Sequence, residues 1–324
     1  MPFATAQRIM RELRIIEVKS EIGAGTRGAS LGSDAIKIAA LDFGSRYFKQ
    51  HKLTEIPNEN HLLLESSGNA HAKRISGILT MTERISDEVC KTLQNKEFPV
   101  VLSGDHSCSA GTVSGIRMAF PKLKVGVIWV DAHSDIHSPY TTPSGNMHGT
   151  PIAVLLDEDN LDCRVNTPDQ ETLNYWYQLK NIGNIAPKIT YRDLVYIALR
   201  DFEKAEKYLL DKNKVKIFPI SAIHKDGVEK IAEATLKYLN HCDLIYVSFD
   251  VDSLDPSHLK GTGTPVPGGM TKKEAEALVV RLVSDKKVCC FEITEVNPTL
   301  DKDNLMSENA FEILRHASDT ILNV

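Results

Sequence analysis

The most informative pattern in this chain is the stretch Val125-Gly-Val-Ile-Trp-Val-Asp-Ala-His-Ser-Asp-Ile-His-Ser-Pro139. Its first six residues are apolar and suit a strand that is buried on both faces. The run then ends in Asp131, His133 and Asp135, and residues two apart in an extended chain project from the same face. Because buried unpaired charges are costly, these side chains need a partner. A bound cation is the simplest partner; a solvated loop whose side chains find separate hydrogen bonds is the alternative.

The composition is that of a globular protein with a substantial core. The chain has 324 residues, of which 42% are hydrophobic and 25% are charged, and its formal net charge is −5. This length is within the range of one large α/β domain, so we expect a single domain over residues 1–324. The acidic balance provides no basic surface for nucleic acid, which is therefore not expected as a partner.

Membrane insertion and secretion are not expected either. No apolar run approaches the roughly 18 residues that a membrane helix needs, and the first eight residues lack the apolar core of a signal peptide. The six cysteines show no CxxC pair and no regular spacing. This usage is typical of small buried side chains in a reducing compartment. We therefore expect a cytoplasmic protein.

Apolar runs of strand length alternate along the chain with stretches of helical periodicity. Such strands, apolar on both faces and separated by helices, predict a parallel sheet that is covered on both sides. A polar segment at about 157–190 is predicted to be a surface insertion that carries one helix. Strands are predicted at 13–18, 99–102, 125–130, 194–199, 215–218, 244–249 and 288–291, and helices at 34–41, 72–94, 111–120, 171–180, 228–239, 271–283 and 307–321.

Polar clusters follow these strands, where ligands bind in sheets of this kind. Four carboxylates and two imidazoles in the clusters exceed what one tetrahedral zinc takes, and they suit two divalent cations bridged by carboxylates. A set rich in carboxylates and without thiolate favours manganese over zinc. Singly, Asp252 could cap a turn and His106 could be a satisfied core histidine. The candidate metal ligands are His106, Asp131, His133, Asp135, Asp250 and Asp252.

Three of these clusters resemble the metal-binding signatures of the ureohydrolase family. They are Ser103-Gly-Asp-His-Ser107, Asp131-Ala-His-Ser-Asp135 and Ser248-Phe-Asp-Val-Asp-Ser-Leu-Asp-Pro256. Two further segments, Ser144-Gly-Asn-Met-His-Gly149 and Glu295-Val-Asn-Pro298, are similar to the arginase branch in particular. The resemblance runs from about residue 15 to the C-terminus, and only the polar segment interrupts it.

The resemblance implies a fold, an activity and a cofactor. The fold is a three-layer α/β/α sandwich around a parallel sheet of about eight strands, as in arginase- and deacetylase-like proteins. The activity is hydrolysis of a small guanidino substrate, L-arginine, to L-ornithine and urea. The cofactor is a pair of Mn²⁺ ions, for which Co²⁺ or other divalent ions can substitute in vitro. A homo-oligomer, trimeric or hexameric, is implied as well.

The resemblance also assigns catalytic roles. Two divalent cations that share a water lower its pKa toward neutrality, which supplies hydroxide for attack on the unreactive guanidinium. Asp135 would ligate metal and accept the proton of the nucleophile. His148 matches the proton shuttle that serves the leaving amine. Glu295 would bind the planar guanidinium through paired hydrogen bonds.

The far end of the substrate would be bound by residues with neutral donors and by acids. Thr142, Ser144 and Asn146 match the groups that bind the α-carboxylate in the family. Thr264 matches a hydroxyl that supports Glu295.

The chain departs from the family pattern at three positions. The family usually has Asn at His137, which still offers an N–H donor to a carboxylate. It usually has Asp at Glu203, which can still meet an α-ammonium but is one methylene longer. Asp201 and Glu206 match acids that surround this position. Ser103 stands where the first motif usually begins with glycine.

Two other functions are alternatives. The first is another ureohydrolase, of the agmatinase or formimidoylglutamase type. Residues 144–149 argue against it, because neither relative resembles this chain there, whereas His137 and Glu203 argue for it. The second is a non-catalytic, metal-binding regulatory protein on the same fold. The presence of His148 and Glu295 argues against that function, which would need no proton shuttle.

Overall fold

The computed structural model describes residues 12–257 and 260–324, in which strands alternate with helices. The strands are β1 (Glu12–Val18), β2 (Lys52–Glu55), β3 (Glu97–Ser103), β4 (Val125–Val130), β5 (Leu194–Ile197), β6 (Lys216–Phe218), β7 (Leu244–Asp250) and β8 (Val288–Thr294). The helices are α1 (Gly32–Asp42), α2 (Tyr47–Gln50), α3 (Ile75–Gln94), α4 (Ser109–Ala119), α5 (Pro151–Leu156), α6 (Gln170–Lys180), α7 (Lys204–Lys212), α8 (Ile220–Asp226), α9 (Val228–Tyr238), α10 (Lys272–Val283) and α11 (Leu305–Leu322).

One parallel sheet holds all eight of these strands, in the order β2-β1-β3-β8-β7-β4-β5-β6. Every residue of β3, β4 and β8 is buried, since helices cover both faces of the sheet. The expected three-layer α/β/α sandwich with a parallel eight-stranded sheet is therefore confirmed.

Two hydrophobic cores lie on opposite faces of the sheet, and β4 contributes to both. Ile128 and Val130 belong to the core under α9, α10 and α11, whereas Val127 and Trp129 belong to the core under α3, α4 and α6. This division follows from the alternation of side chains along a strand. The apolar run in the sequence is thus explained by burial on both faces.

Several elements differ from the sequence-based expectation. The edge strand β2 was not predicted, because its four residues are polar or exposed and it pairs only with β1. Helix α5 was also missed, since its six residues are all buried and show no polar face. In the polar segment at 157–190, Trp176 and Leu179 of α6 are buried in the core beside α3.

Within residues 12–257 and 260–324, no helix is long and apolar enough to cross a membrane.

The sheet order brings distant parts of the sequence together. Strands β3, β8, β7 and β4 are consecutive at the centre, and parallel strands end at the same edge. The polar clusters after residues 103, 130, 250 and 294 therefore meet at this edge, where ligands bind in open α/β sheets.

Candidate metal centre

His106 lies at the centre of the polar cluster. Its Nδ1 atom is 3.0 Å from an oxygen of Asp131, 3.0 Å from one of Asp135 and 3.1 Å from one of Asp250. Among the described residues, Nδ1 of His106 and Oδ2 of Asp131 are buried side-chain atoms without a hydrogen-bond partner. Three carboxylate oxygens that converge on one unpaired ring nitrogen fit a bound cation.

Contacts behind the ring fix its orientation. His106 stacks on Trp129 with a centroid separation of 3.9 Å and an interplanar angle of 6°. Its Nε2 atom lies 2.8 Å from Oγ of Ser248. An imidazole that donates from Nε2 presents a lone pair at Nδ1, which is the usual arrangement of a metal-binding histidine. Neither Trp129 nor Ser248 was predicted from the sequence as a site residue.

A second group of possible ligands adjoins the first. Nδ1 of His133 lies 2.9 Å from Oδ2 of Asp252 and 3.5 Å from Oδ1 of Asp131. Asp131 therefore presents Oδ2 to the first group and Oδ1 to the second. The ligand atoms of His106, Asp131 and Asp135 lie within 4.8 Å of one another, as do those of Asp131, His133 and Asp252. Two overlapping groups with one shared carboxylate could hold two cations side by side.

The ionisation of the cluster reflects its crowded negative charge. Burial and the Asp131 carboxylate raise the pKa of Asp135 to about 6. Burial also raises the pKa of Asp250 well above its ordinary value, and neighbouring carboxylates add to this effect. For Asp131, burial opposes ionisation, but the imidazoles of His106 and His133 outweigh it and lower the pKa. Crowded carboxylates of this kind disfavour one another's ionised form, and nearby positive charge reduces that penalty.

Two residues of the site hold left-handed backbone conformations that non-glycine residues rarely adopt. Asp135 has a φ of 48° and Glu295 has a φ of 64°. Backbone hydrogen bonds stabilise both conformations. The carbonyl of Asp135 accepts from the N–H of Ile152, and the N–H of Glu295 donates to the carbonyl of Gly104. Conformations of this kind cost about 1–3 kcal/mol and cluster at functional sites.

His148 and Glu295 lie next to the cluster. Nδ1 of His148 is 3.4 Å from Oε1 of Glu295, which also accepts the backbone N–H of His106 at 3.0 Å. Burial lowers the pKa of His148, but the carboxylates of Glu295, Asp135 and Asp105 outweigh this effect and raise it to about 9. His148 is thus a proton donor at neutral pH in this arrangement.

The contact of Thr264 differs from the expectation. Its hydroxyl donates to Oδ2 of Asp252 at 3.2 Å, so the expected support of Glu295 is not what the structure shows. The loop that carries Thr264 passes the end of β7 and thereby brings the hydroxyl to that carboxylate.

Ser103, which stands where the family motif usually has glycine, makes buried polar contacts next to the cluster. The Ser103 hydroxyl donates to Oε1 of Glu292 at 2.7 Å, and Ser109 and Tyr246 donate to the same carboxylate. Glycine is needed one residue later, since a Cβ at Gly104 would lie 2.1 Å from the carbonyl oxygen of Ser20.

One cavity opens onto both groups of possible ligands. Asp201 lies at its rim, with a side chain 63% exposed and Oδ2 3.8 Å from Nε2 of His133. All residues predicted to bind substrate line this cavity, namely His137, Thr142, Ser144, Asn146, Asp201, Glu203 and Thr264, together with His148 and Glu295.

The far end of the cavity contains a pair that the family pattern does not have. Nε2 of His137 is in hydrogen-bond contact with Oε2 of Glu203 and lies 3.5 Å from Oε2 of Glu206. Its Nδ1 atom is 3.0 Å from the hydroxyl of Thr141. Lys73, which was not predicted as a site residue, donates from Nζ to Oδ1 of Asn146 at 3.1 Å.

This fold and cluster define a class of α/β/α proteins with carboxylates and imidazoles gathered at the carboxyl edge of a parallel sheet. The Arginase family model matches residues 11–318. Arginase of Bacillus subtilis (strain 168) is 31% identical over 309 residues, which are 94% of this chain and 96% of that protein. The structure of arginase from Bacillus caldovelox matches with a TM-score of 0.82 at 29% identity, over 97% of this chain and 99% of that chain.

The chain belongs to the arginase family, which confirms the resemblance found in its motifs. A further structure, formimidoylglutamase from Bacillus subtilis subsp. subtilis str. 168, matches with a TM-score of 0.73 over 96% of this chain and 87% of that chain. At 23% identity, this likeness shows a shared fold.

Proposed function

We propose that this chain hydrolyses L-arginine to L-ornithine and urea and that it uses two Mn²⁺ ions. The observation that carries the proposal is the pair of overlapping ligand groups that share Asp131. The cavity opens onto these groups at His106, His133 and Asp135. Membership in the arginase family supports a hydrolase of guanidino compounds. The arginase-type segment at residues 144–149, which lines the same cavity, supports arginine as the substrate.

The residues present fit two oxygen-preferring divalent cations. His106 and Asp135 would hold one ion, His133 and Asp252 the other, and Asp131 would bridge them. Asp250, whose Oδ2 faces His106, is the second candidate bridge. When bound, such a pair of ions supplies hydroxide near neutral pH and stabilises the negative charge that develops during attack.

Glu295 would orient the guanidinium. Its Oε1 atom accepts the N–H of His106, which fixes the carboxylate. A planar guanidinium donates in pairs to a carboxylate, so Glu295 can hold the reacting carbon above the cluster. Such positioning contributes to the rate because the reactants need no further ordering.

Two side chains would transfer protons. Asp135, which faces His106 and lines the cavity, would accept the proton released when the nucleophile attacks. His148 would donate a proton to the amine as the carbon–nitrogen bond breaks. Its contact with Glu295 supports this role, because the guanidinium would bind to the same carboxylate.

The polar end of the cavity would select the amino-acid part of the substrate. Thr142, Ser144 and Asn146 would bind the α-carboxylate with neutral donors. Glu203, with Asp201 nearby, would meet the α-ammonium. A substrate that lacks the carboxylate, such as agmatine, would leave the neutral donors unmatched, which disfavours binding.

The His137–Glu203 contact favours one second candidate. Because His137 already occupies the carboxylate of Glu203, an α-ammonium has to compete for it. A formimino acid, which has carboxylates and no free α-ammonium, would avoid this competition. A formimidoylglutamase-type activity is therefore the alternative to arginine hydrolysis.

A substrate panel tests these functions. The manganese-loaded protein is incubated with L-arginine, agmatine and formiminoglutamate, and urea or formamide release is measured. We expect urea from L-arginine at a kcat/KM at least tenfold above the values for the other two. Turnover of formiminoglutamate alone would replace the proposal with the second candidate. No turnover of any of the three, with two metal equivalents bound, would support the non-catalytic alternative instead.

A further inference from the structure

A separate set of possible metal ligands lies at the opposite end of the sheet from the candidate metal centre. Asp193 immediately precedes β5, and His241 and Cys242 lie just before β7. Oδ1 of Asp193 is 2.9 Å from Nε2 of His241 and 3.7 Å from Sγ of Cys242, and the latter two atoms are 3.5 Å apart. We propose that these three side chains bind one Zn²⁺ ion that is separate from the catalytic metals.

The spacing of the three atoms matches one face of a tetrahedral zinc site. Zinc binds sulfur at about 2.3 Å and nitrogen or oxygen at about 2.0–2.2 Å, so the ligand atoms of a tetrahedral site lie roughly 3.3–3.6 Å apart. The two distances to sulfur, 3.5 and 3.7 Å, lie close to this range. The 2.9 Å between Nε2 and Oδ1 is shorter, so these two atoms would move apart by about 0.5 Å to admit the ion. Zinc fits this set of ligands, which includes a thiolate and an imidazole, better than manganese does.

The ligand atoms are oriented by hydrogen bonds on their far sides. Nδ1 of His241 is 3.1 Å from the carbonyl oxygen of Tyr238, so a ring that donates there presents the Nε2 lone pair to Asp193. Oδ2 of Asp193 accepts the N–H and hydroxyl of Thr190 at 2.9 and 2.7 Å, which leaves Oδ1 for the cluster. With a neutral ring, Nε2 and Oδ1 are two acceptors facing each other, and a cation between them removes the conflict.

Cys242 is held inside the fold with its sulfur toward the other two ligands. Its side chain packs against Gly126 of β4, where a Cβ would lie 3.2 Å from the sulfur. Burial and the Asp193 carboxylate raise the pKa of the Cys242 thiol to about 12, although Lys124 and Lys287 act in the opposite direction. The free thiol is therefore protonated at neutral pH, and zinc would displace its proton on binding.

The site is accessible and would connect the segments that precede two strands. The side chains of His241 and Asp193 are 23% and 12% exposed, so an ion can enter and a water can complete its coordination. Asp193 precedes β5 and Cys242 precedes β7, which are the two neighbours of β4 in the sheet. Bound zinc would therefore connect the amino ends of β5 and β7, with β4 between them.

Cobalt titration of the metal-free full-length protein tests the proposal. Co²⁺ bound to a thiolate gives a sulfur-to-metal charge-transfer band, and the candidate catalytic ligands are nitrogen and oxygen atoms only. We expect saturating Co²⁺ to produce this band with the intensity of one thiolate-bound ion per chain, and excess Zn²⁺ to abolish it. Cys242→Ser should lose the band and bind one metal equivalent fewer, whereas Cys163→Ser, a change at a more exposed cysteine outside the cluster, should retain both.

Two results would overturn the assignment. One is the absence of any charge-transfer band at saturating Co²⁺, which would leave Asp193 and His241 as a plain ion pair. The other is a band that persists in Cys242→Ser. His241→Gln provides an independent check that leaves the thiol in place, and it should weaken the binding of Co²⁺ at this site at least tenfold. Circular dichroism of each variant establishes that the loss does not come from unfolding. The test does not depend on turnover of any substrate.

Discussion

At the scale of single residues, His148 forms an ion pair with Glu295, which is not one of the candidate metal ligands. We predict that His148→Asn lowers kcat about 100-fold, as expected for loss of a general acid, and leaves two metal equivalents bound. Steady-state urea release and metal analysis of the purified variant check this. His61→Asn, a change at an exposed histidine, is the control and should behave as the unmodified protein. Loss of metal in His148→Asn would show that the residue acts as a ligand.

His137 is the residue at which this chain differs most from the family pattern within the cavity. Its contact with Glu203 competes with the α-ammonium of an amino-acid substrate. We predict that His137→Asn lowers the KM for L-arginine several-fold with little change in kcat, because it frees the Glu203 carboxylate. The companion variant Glu203→Gln should raise this KM. An unchanged KM in both variants would show that neither residue contacts the substrate.

At the scale of elements, α3 and α4 pack closely through glycine. A Cβ at Gly115 would lie 2.6 Å from the carbonyl oxygen of Ser86 and 2.8 Å from Cβ of Val89. Alanine is favoured over glycine in a helix by about 1 kcal/mol, but overpacking costs about 1–3 kcal/mol. We predict that Gly115→Ala lowers the free energy of unfolding in urea, whereas Ser76→Ala on the exposed side of α3 does not. A more stable Gly115→Ala variant would contradict this packing.

Glu97 of β3 links the three strands at one edge of the sheet, which are β2, β1 and β3. Its carboxylate accepts two hydrogen bonds from Arg14 of β1 and one from Lys52 of β2. Burial raises the pKa of Glu97, but Lys52 and Arg14 outweigh it, and the net pKa lies below the ordinary value. A lowered pKa in the folded state stabilises the protein above the unfolded pKa, and this contribution is lost as the pH falls through the folded value.

The contribution of Glu97 to stability can be measured as a difference in the free energy of unfolding between the unmodified protein and a variant, at several pH values. We predict that Glu97→Gln lowers the free energy of unfolding by about 1 kcal/mol at pH 7 and that the difference shrinks toward zero in acid. Chemical unfolding at a series of pH values measures it. Glu12→Gln, a change at an exposed partner of Lys52, serves as the control and should have little effect. A difference that is constant with pH would contradict the ionic origin.

The sequence predicts elements well where one physical signal dominates. The central strands are long apolar runs, and Asp131, His133 and Asp135 stand out because they end such a run. Strand β2 could not be predicted in this way, because its pairing with β1 depends on a neighbour about 40 residues away. The His137–Glu203 pair was likewise not predicted as a contact, since nothing in the local pattern shows that α7 begins beside the loop of His137.

At the scale of the whole molecule, the site depends on strand order. Strands β3 and β4 provide His106 and Asp131, yet β8 and β7, which come later in the chain, lie between them. Local periodicity does not contain this order, and the likeness of the motifs to a known family implied a parallel sheet of about eight strands without predicting their order. The same is true of Asp193, His241 and Cys242, which no motif joined and which the strand order brings together.

The central claim is that a two-metal cluster at the carboxyl edge of the sheet hydrolyses L-arginine. Titration of the metal-free protein with Mn²⁺, followed by initial rates of urea release from L-arginine, tests it most directly. We predict that the rate rises with added metal and reaches its plateau at two equivalents per chain bound at the cluster. Asp252→Asn should bind about one equivalent fewer and stay at least 100-fold slower. Absence of urea at every Mn²⁺ level, or full activity of Asp252→Asn, would contradict the account.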